Sequence, residues 1–454
     1  MSYIGSTPTT QSFIAGTDYF NGTGSATAFT LSRSVVSVND IQATVNNVVQ
    51  VPNDAYTVNG TTITFTSAPS AGTNNIYVRY LSTTTQSITP SQNTVSYSTL
   101  NSDNQSKLGI SFKNRIINGA MVIDQRNAGA SVTPVTAQYL LDRFYTNLSQ
   151  ASKFTVQQNA GSVTPPVGFT NYLGVTSSSA YSVAAGDYFN IGQKIEGFNV
   201  ADLGWGTANA KSVTVSFWVY SSLTGTFGAT LNNSGQSRSY PFTYTIGAAN
   251  TWTQVSTTIV GDSSGTWLTT NGAGLQILFN LGTGTTYSGP AGAWASANYV
   301  SATGATSVVG TNGATFYLTG VQLEVGTQAT TFDYRSYGTE LSLCQRYCQV
   351  PSQINSNSTY FSVMWAYSAN NGHCTYLYPV PMRTTPSLTS TSGSSYWTFY
   401  ANGNGGAAFT SFSLGQSNAT TCDLTANSLI TTTGFTGGVY ITNNAAQLIL
   451  SAEL

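Results

Sequence analysis

Helical spacing is scarce in this chain, and that scarcity limits its folds more than any other feature. One stretch carries it. After Thr339, a candidate cap, Leu341, Leu343, Cys344 and Tyr347 recur as on one helix face. Just before it, Phe316, Leu318, Val321, Leu323 and Val325 alternate as in a half-buried strand, with an irregularity expected at Gly320. Nearly everything else is short runs of strand-forming residues between Gly, Ser, Asn and Pro turns. At 454 residues the chain exceeds one ordinary core, so three domains are expected. The fold class expected is mostly β. It comprises a small N-terminal β domain (1–85), a polar linker or neck (86–112) and a central β-sandwich or jelly roll (113–335). One connecting helix (336–348) and a C-terminal distal β domain (349–454) follow.

In the first block, AFTL, DIQATV, VVQV, AYTV, TTITF and NIYVRYL read as strands. Asn59-Gly60 predicts a type I′ hairpin between AYTV and TTITF, and Asn46-Asn47 marks another. In the central block, nine runs read as strands: KFTVQQ, TNYLGVT, DYFNIGQKI, SVTVSFWVY, TFGATL, SYPFTYTI, TWTQVSTTIV, GLQILFNL and ATFYLTGVQLEV. In SVTVSFWVY, Val213, Val215, Phe217 and Val219 share one face and Trp218 takes the other. The last block reads as strands at YFSVMWAYSA, TYLYPVP, YWTFYA, AAFTSFSL, CDLTA, GGVYIT and LILSAEL. The 86–112 stretch is Ser/Thr/Asn/Gln-rich, with Leu100 and Leu108 too sparse for a heptad stripe.

Composition narrows the function classes. Only 6% of residues are charged, and the formal net charge is −1. Without a Lys/Arg cluster, nucleic-acid binding is not expected. No apolar run is long enough for a spanning helix, so membrane insertion is not expected, and MSYIGSTPTT is no secretion signal. Disorder is opposed by the 12% aromatic content and the Val/Ile runs. A β-structured, extracellular-looking composition without a secretion signal fits a protein made in a cytoplasm and released by lysis.

Catalytic chemistry finds little support. His373 is the one histidine, no G-x-S-x-G occurs, and a Ser-His-Asp triad is not expected. A glycosidase pair would have to come from Asp124, Asp142, Asp187, Glu196, Asp202, Asp262, Glu324 or Glu340. Of these, Asp142, beside Arg143, reads as part of a structural ion pair, as does Arg335. Asp262 in GDSSGTW reads as a turn residue and not as a calcium ligand. The cysteines at 344, 348, 374 and 422 lack zinc spacing and read as buried free thiols, with a Cys374–Cys422 disulfide left open. No catalytic residue, metal or cofactor is expected.

Three motifs carry a family resemblance: KNRIINGAMVIDQ with LDRF (113–125 and 141–144), GVQLEVG with FDYRSYGTELSLCQRY (320–326 and 332–347), and the ending LILSAEL. They resemble segments of bacteriophage tail-fibre and tail receptor-binding proteins, in which the first two bracket a jelly-roll domain that also looks like carbohydrate-binding modules. VNNVVQVPNDAYTVNGTTITF (45–65) resembles the N-terminal attachment domains of tail fibres. The resemblance implies a homotrimeric, non-enzymatic structural component of the virion tail, synthesised in the host cytoplasm. Residues 1–85 would hold other tail or virion proteins. The C-terminal block would bind a host surface glycan, lipopolysaccharide or capsule. Two alternatives remain open: a glycan-depolymerising tailspike enzyme, and a purely structural virion decoration or head fibre.

Sugar rings offer apolar C–H faces that stack on aromatic side chains, and hydroxyls that pair with amides. The aromatic-dense distal block therefore supplies the candidate glycan contacts: Tyr360, Trp365, Tyr367, His373, Tyr376, Tyr378, Tyr396, Trp397 and Tyr400. Strict alternation places Phe361, Val363, Trp365 and Tyr367 on one face, with Tyr360, Ser362 and Met364 on the other. It likewise separates Tyr396, Thr398 and Tyr400 from Trp397 and Phe399.

Overall fold

The computed structural model describes residues 16–81, 113–352, 358–401 and 405–454. The neck expected at 86–112 lies outside the described residues. The chain divides into two compact units, residues 1–108 and 109–454.

Among its described residues the first unit has six strands: β1 (Thr17–Gly22), β2 (Ala28–Val35), β3 (Ile41–Val45), β4 (Val48–Val49), β5 (Tyr56–Phe65) and β6 (Gly72–Tyr80). A sheet of order β1-β6-β3-β4 packs against the β2-β5 ribbon around Leu31, Ile41, Tyr56, Ile63, Ile76 and Val78. The Asp18 carboxylate accepts from the Ser32 backbone N–H (2.7 Å), the Ser32 hydroxyl (2.6 Å) and the Tyr80 hydroxyl (2.5 Å), tying β1 to both layers. The two hairpin expectations fare differently. Asn46 and Asn47 have φ of 48° and 66° and close β3 onto β4, as a type I′ turn requires. Asn59-Gly60 forms no hairpin. Gly60 has φ of 57° but Asn59 stays extended, so β5 runs straight through and pairs Gly60 with Val35 at a register shift. The glycine serves a bulge, the other use of a left-handed residue in a strand.

In the second unit, every one of the nine expected central runs contains a strand: β8 (Phe154–Gln158), β9 (Leu173–Ser177), β10 (Tyr188–Glu196), β11 (Val213–Ser221), β12 (Gly225–Asn233), β13 (Ser239–Ile246), β14 (Thr253–Ile259), β15 (Ala273–Thr283) and β18 (Thr315–Val325). Sequence reading overlooked β7 (Phe144–Leu148) and the two-residue β16 (Ser288–Gly289) and β17 (Ser301–Ala302). Two five-stranded antiparallel sheets, β13-β12-β15-β10-β7 and β14-β11-β18-β9-β8, enclose one core and form a jelly-roll sandwich. Val213, Val215, Phe217 and Val219 are buried as the alternation requires, and Trp218 is half-buried on the opposite face. The irregularity expected at Gly320 is a bulge. Its φ is 62°, and a Cβ there would lie 2.7 Å from the Phe169 ring.

The helix α1 spans Tyr337–Gln345. Its cap is Ser336, whose hydroxyl accepts from the Thr339 N–H; Thr339 itself lies inside the first turn. After it come β19 (Cys348–Ser352), β20 (Thr359–Ala366), β21 (Gly372–Leu377), β22 (Ser387–Ser390), β23 (Trp397–Ala401), β24 (Gly406–Phe409), β25 (Ser411–Ser417), β26 (Thr421–Asn427), β27 (Thr436–Ile441) and β28 (Leu448–Ser451). A seven-stranded sheet, β24-β23-β27-β20-β21-β26-β25, and a small sheet, β19-β28-β22, share a second core around Trp397, Phe399, Phe412, Val439 and Leu450.

Buried polar groups clasp this block to the jelly roll. Glu453, just after β28, accepts from Arg126 (3.0 Å) and from Arg143. Arg143 also donates to the Lys194 carbonyl (2.6 Å) and lies 3.5 Å from the Tyr347 ring centroid. Glu196 receives Arg346 (2.9 and 2.5 Å) and the Tyr347 hydroxyl (2.5 Å). Arg383 donates to the Ala452 and Glu453 carbonyls, each at 2.7 Å. Of the expected ion-pair residues, Arg143 pairs with Glu453 and Arg335 with Glu340, whereas Asp142 does not pair with Arg143 and instead accepts from the neutral Gln125.

Two outcomes follow from the clasp. Glu453→Gln leaves two buried guanidinium groups without their anion, and should cost about 3–5 kcal/mol in urea unfolding of the whole chain. Glu196 checks the pH behaviour. Burial pushes its carboxyl up, but hydrogen bonds from Arg346 and Tyr347 outweigh this and hold it below its ordinary value. A carboxyl held low stabilises the fold above the unfolded-chain value, and that contribution is lost as pH falls through the folded value. Glu196→Gln should therefore cost about 1–3 kcal/mol at pH 7. The deficit should shrink below about pH 4, read by unfolding at pH 7 and pH 3.

Candidate functional site

The seven-stranded sheet has one face on its core and one toward solvent. Parity alone mispredicts which residues go where, because β20 carries a bulge. Its pairing with β27 runs Tyr360↔Tyr440 and then Ser362↔Val439, so the register shifts at Phe361. Phe361 turns inward against Trp397 and Phe412, while Val363, Trp365 and Tyr367 face outward. Tyr360 faces outward as well. The bulge thus puts Tyr360 and Trp365 on one face, where strict alternation separated them.

Two aromatic clusters result. In the first, the Tyr360 ring lies 5.1 Å from Tyr440 and 6.3 Å from Tyr400, and Tyr400 lies 5.6 Å from Tyr440. Gly438 makes this possible, since a Cβ there would sit 2.5 Å from the Tyr360 ring. In the second, Trp365, Tyr367 and His373 lie with their ring centroids mutually 5.5 Å apart. His373 stands opposite Trp365 on β21, and its Nδ1 lies 2.8 Å from the Asp423 carboxylate on β26. When Nδ1–H donates to that carboxylate, a neutral imidazole keeps Nε2 as an acceptor. Tyr360, Trp365 and Tyr367 are 62%, 48% and 63% exposed, and Val363 bridges the clusters as an exposed apolar floor.

The nine candidate residues therefore divide. Tyr360, Trp365, Tyr367, His373 and Tyr400 come together on the outer face. Trp397 does not: it is fully buried, with its indole N–H given to the Thr391 carbonyl, because YWTFY packs its Trp/Phe parity inward. Tyr378 is likewise buried, its hydroxyl 3.2 Å from that of Ser417. Tyr376 and Tyr396 are half-buried against the same core. Sequence reading missed Tyr440 and Asp423. The cross-strand pairing that brings them in is non-local, although GGVYIT carried a signal: two glycines before an aromatic, as where side chains from neighbouring strands need room.

Other groups of interest are committed elsewhere. Asp124 caps a turn at Asn127 and Gly129, Asp187 holds Ser149 and Tyr181, and Asp202 pairs with Arg115. Asp262 is gripped by Arg238 through two 2.7 Å bonds. Glu324 holds Thr330, and Glu340 accepts from the Asn118 N–H. Among the described residues no cluster of three His, Cys, Asp or Glu side chains could hold a metal. All four cysteines are free and buried; Cys374 faces Leu424 and Cys422 faces Tyr376 across β21 and β26. On the jelly roll, the chain's own Tyr299 carbonyl covers Thr230 and Asn232 on the outer side of the first sheet. An apolar pocket of about 180 Å³ lies between Leu203, Trp205, Trp267 and Leu268. The indole N–H groups of both tryptophans already bond the chain's own carbonyls.

No protein-family model matches the chain, and no curated protein matches it. Among solved structures, the enzymatically active domain of tailspike protein 4 of bacteriophage CBA120 is similar at 12% identity and a TM-score of 0.27, over 47% of this chain and 21% of that one. The chain thus spans about a fifth of that relative's length. A sugar-binding protein of Bacteroides thetaiotaomicron, so described in its structure's name as a candidate, matches at 10% identity and 0.29, over 47% of this chain and 100% of the other. A family 4 carbohydrate-binding module matches at 14% identity and 0.22, over 40% and 95%. Similarities at this level assign neither family nor function.

Burial pushes the Cys374 thiol up to about 12. Thiolate is the reactive form, so iodoacetamide at pH 8 should leave the folded protein's Cys374 unlabelled and should label it in urea; mass spectrometry reads the difference.

Proposed function

We propose that this chain is a bacteriophage tail-fibre or tail receptor-binding protein that attaches to a host surface glycan through the outer face of its C-terminal sheet. The observation that carries the binding role is the pair of exposed aromatic clusters, Tyr360/Tyr400/Tyr440 and Trp365/Tyr367/His373, on one sheet face. Flat rings presented to solvent suit the C–H faces of sugars, and the surrounding Thr and Asn side chains suit their hydroxyls. Monomeric proteins rarely expose such apolar area without a partner. The virion reading rests on the tail-fibre motifs, whose charged and amide residues are the ones that build the clasp. In this reading the chain is a homotrimer without enzymatic activity. Residues 1–85 hold the virion, and modest affinity per site is multiplied by several copies.

The test is binding of the fluorescently labelled full-length chain to intact cells of a bacterial strain panel, with periodate-treated cells alongside. Saturable binding lost on periodate treatment is expected. Trp365→Ala with Tyr367→Ala should weaken it by about tenfold or more, the scale of losing anchor residues at an interface. A folded double variant that binds as tightly as the parent, or a parent that binds no strain, would overturn the assignment.

A further inference from the structure

The outer face has a length and a charge that narrow its ligand further, an inference that rests on the glycan reading above. Residues 349–454 contain three charged side chains, Arg383, Asp423 and Glu453. Arg383 is spent on the Ala452, Glu453 and Asn271 carbonyls, and Glu453 is buried against Arg126 and Arg143. Asp423 alone remains at the face, and it sits beside His373 in the second aromatic cluster. Gly415 on β25 leaves room for its carboxylate, which also accepts from the Thr425 hydroxyl at 3.2 Å. No lysine or arginine of this block is left to meet an anion.

The length follows from β20. Tyr360 and Trp365 are five residues apart with one bulge between them, about 13–16 Å at the rise of a β-strand, the span of about three hexose rings. Val363 fills the interval, and the Tyr360 ring leans over Gly438 opposite it. A ligand that touches both clusters must therefore be extended.

We propose that this face takes an extended, uncharged oligosaccharide of about three or four residues lying along β20, and that Asp423, oriented by His373, is the residue that rejects acidic sugars. An acidic sugar would bring its carboxylate or phosphate toward the Asp423 anion, with no lysine or arginine of this block beside it. A neutral sugar hydroxyl can instead donate to Asp423 or to the imidazole Nε2.

The experiment measures binding of the full-length chain to immobilised bacterial polysaccharides at pH 8. The set pairs neutral polymers with counterparts carrying uronic acid or phosphate. The parent should prefer the neutral member of a pair by about tenfold or more, and the preference should shrink as salt screens the repulsion. Asp423→Asn should bring the ratio toward one, and Asp423→Lys should invert it. Trisaccharide and tetrasaccharide fragments should compete far better than the monosaccharide.

A parent that binds acidic and neutral polymers alike, or an unchanged ratio in folded Asp423→Asn, would overturn the charge selectivity while leaving adhesion intact. Monosaccharide competing as well as tetrasaccharide would overturn the extended mode. No binding to any polysaccharide by folded parent would instead sink the glycan reading itself. A change of oligomeric state by Trp365→Ala in sedimentation, without a change in glycan binding, would give the face to a second copy of this chain and overturn the proposal.

Discussion

The Glu453 carboxylate, buried between Arg126 and Arg143, holds the second unit together. It joins residues separated by more than three hundred positions, and it does so where water is excluded. Burial alone would weaken the Arg143 cation, yet Glu453 beside it keeps the guanidinium fully charged. Such a pair adds little over a well-packed apolar replacement, but losing one partner strands the other. The cost of ordering this network is also met in the backbone. Asn118, Met121 and Arg143 all have φ between 59° and 70°, a region that side-chain-bearing residues rarely occupy. The Asn118 side chain explains its own case, bonding the Ile123 and Asp142 carbonyls and the Ile123 N–H.

This network also gives the sequence motifs a physical meaning. KNRIINGAMVIDQ supplies Asn114, Asn118 and Gln125, LDRF supplies Asp142 and Arg143, the helix supplies Glu340, the two residues after it are Arg346 and Tyr347, and LILSAEL supplies Glu453. In one dimension they are four separate polar stretches; in the fold they are a single buried polar layer between the jelly roll and the distal block. A chain with only 6% charged residues has placed a large share of them in its interior. The surface is left to hydroxyls, amides and aromatic rings.

Strand content was legible because short alternating runs bounded by turns are a local property, as the nine central strands illustrate. What escaped was what depends on partners. β7 was missed because FYTNL is buried on both sides and shows no alternation. Asn59-Gly60 was misread because a left-handed glycine serves a bulge as readily as a turn, and only the position of β2 decides between them. Thr339 and Ser336, three residues earlier, carry equivalent hydroxyls, and only the place where the helix starts makes Ser336 the cap. At the candidate site, composition pointed to the right block but not to the right face. The bulge at Phe361 reverses parity, so that Tyr360 joins Trp365 outside. Trp397 goes inside because it shares strand parity with Phe399, which faces the core, while Tyr400 takes the other face.

The same economy of charge shapes both halves of the second unit. A buried ion network fixes the distal block to the sandwich, and two of the block's three charged side chains are used in it. With Arg383 and Glu453 drawn into the clasp, its outer sheet face keeps one carboxylate, and the His373 ring beside Asp423 orients it. Stacking on neutral rings is tolerant of sugar identity and weak per contact. A lone, fixed carboxylate adds what stacking lacks, a term that changes sign with the charge of the ligand. The charged side chains of residues 349–454 are three, and Asp423 is the one of them beside the aromatic clusters. The interior placement of the block's other charges is therefore what leaves a single half-buried aspartate to supply the proposed selectivity.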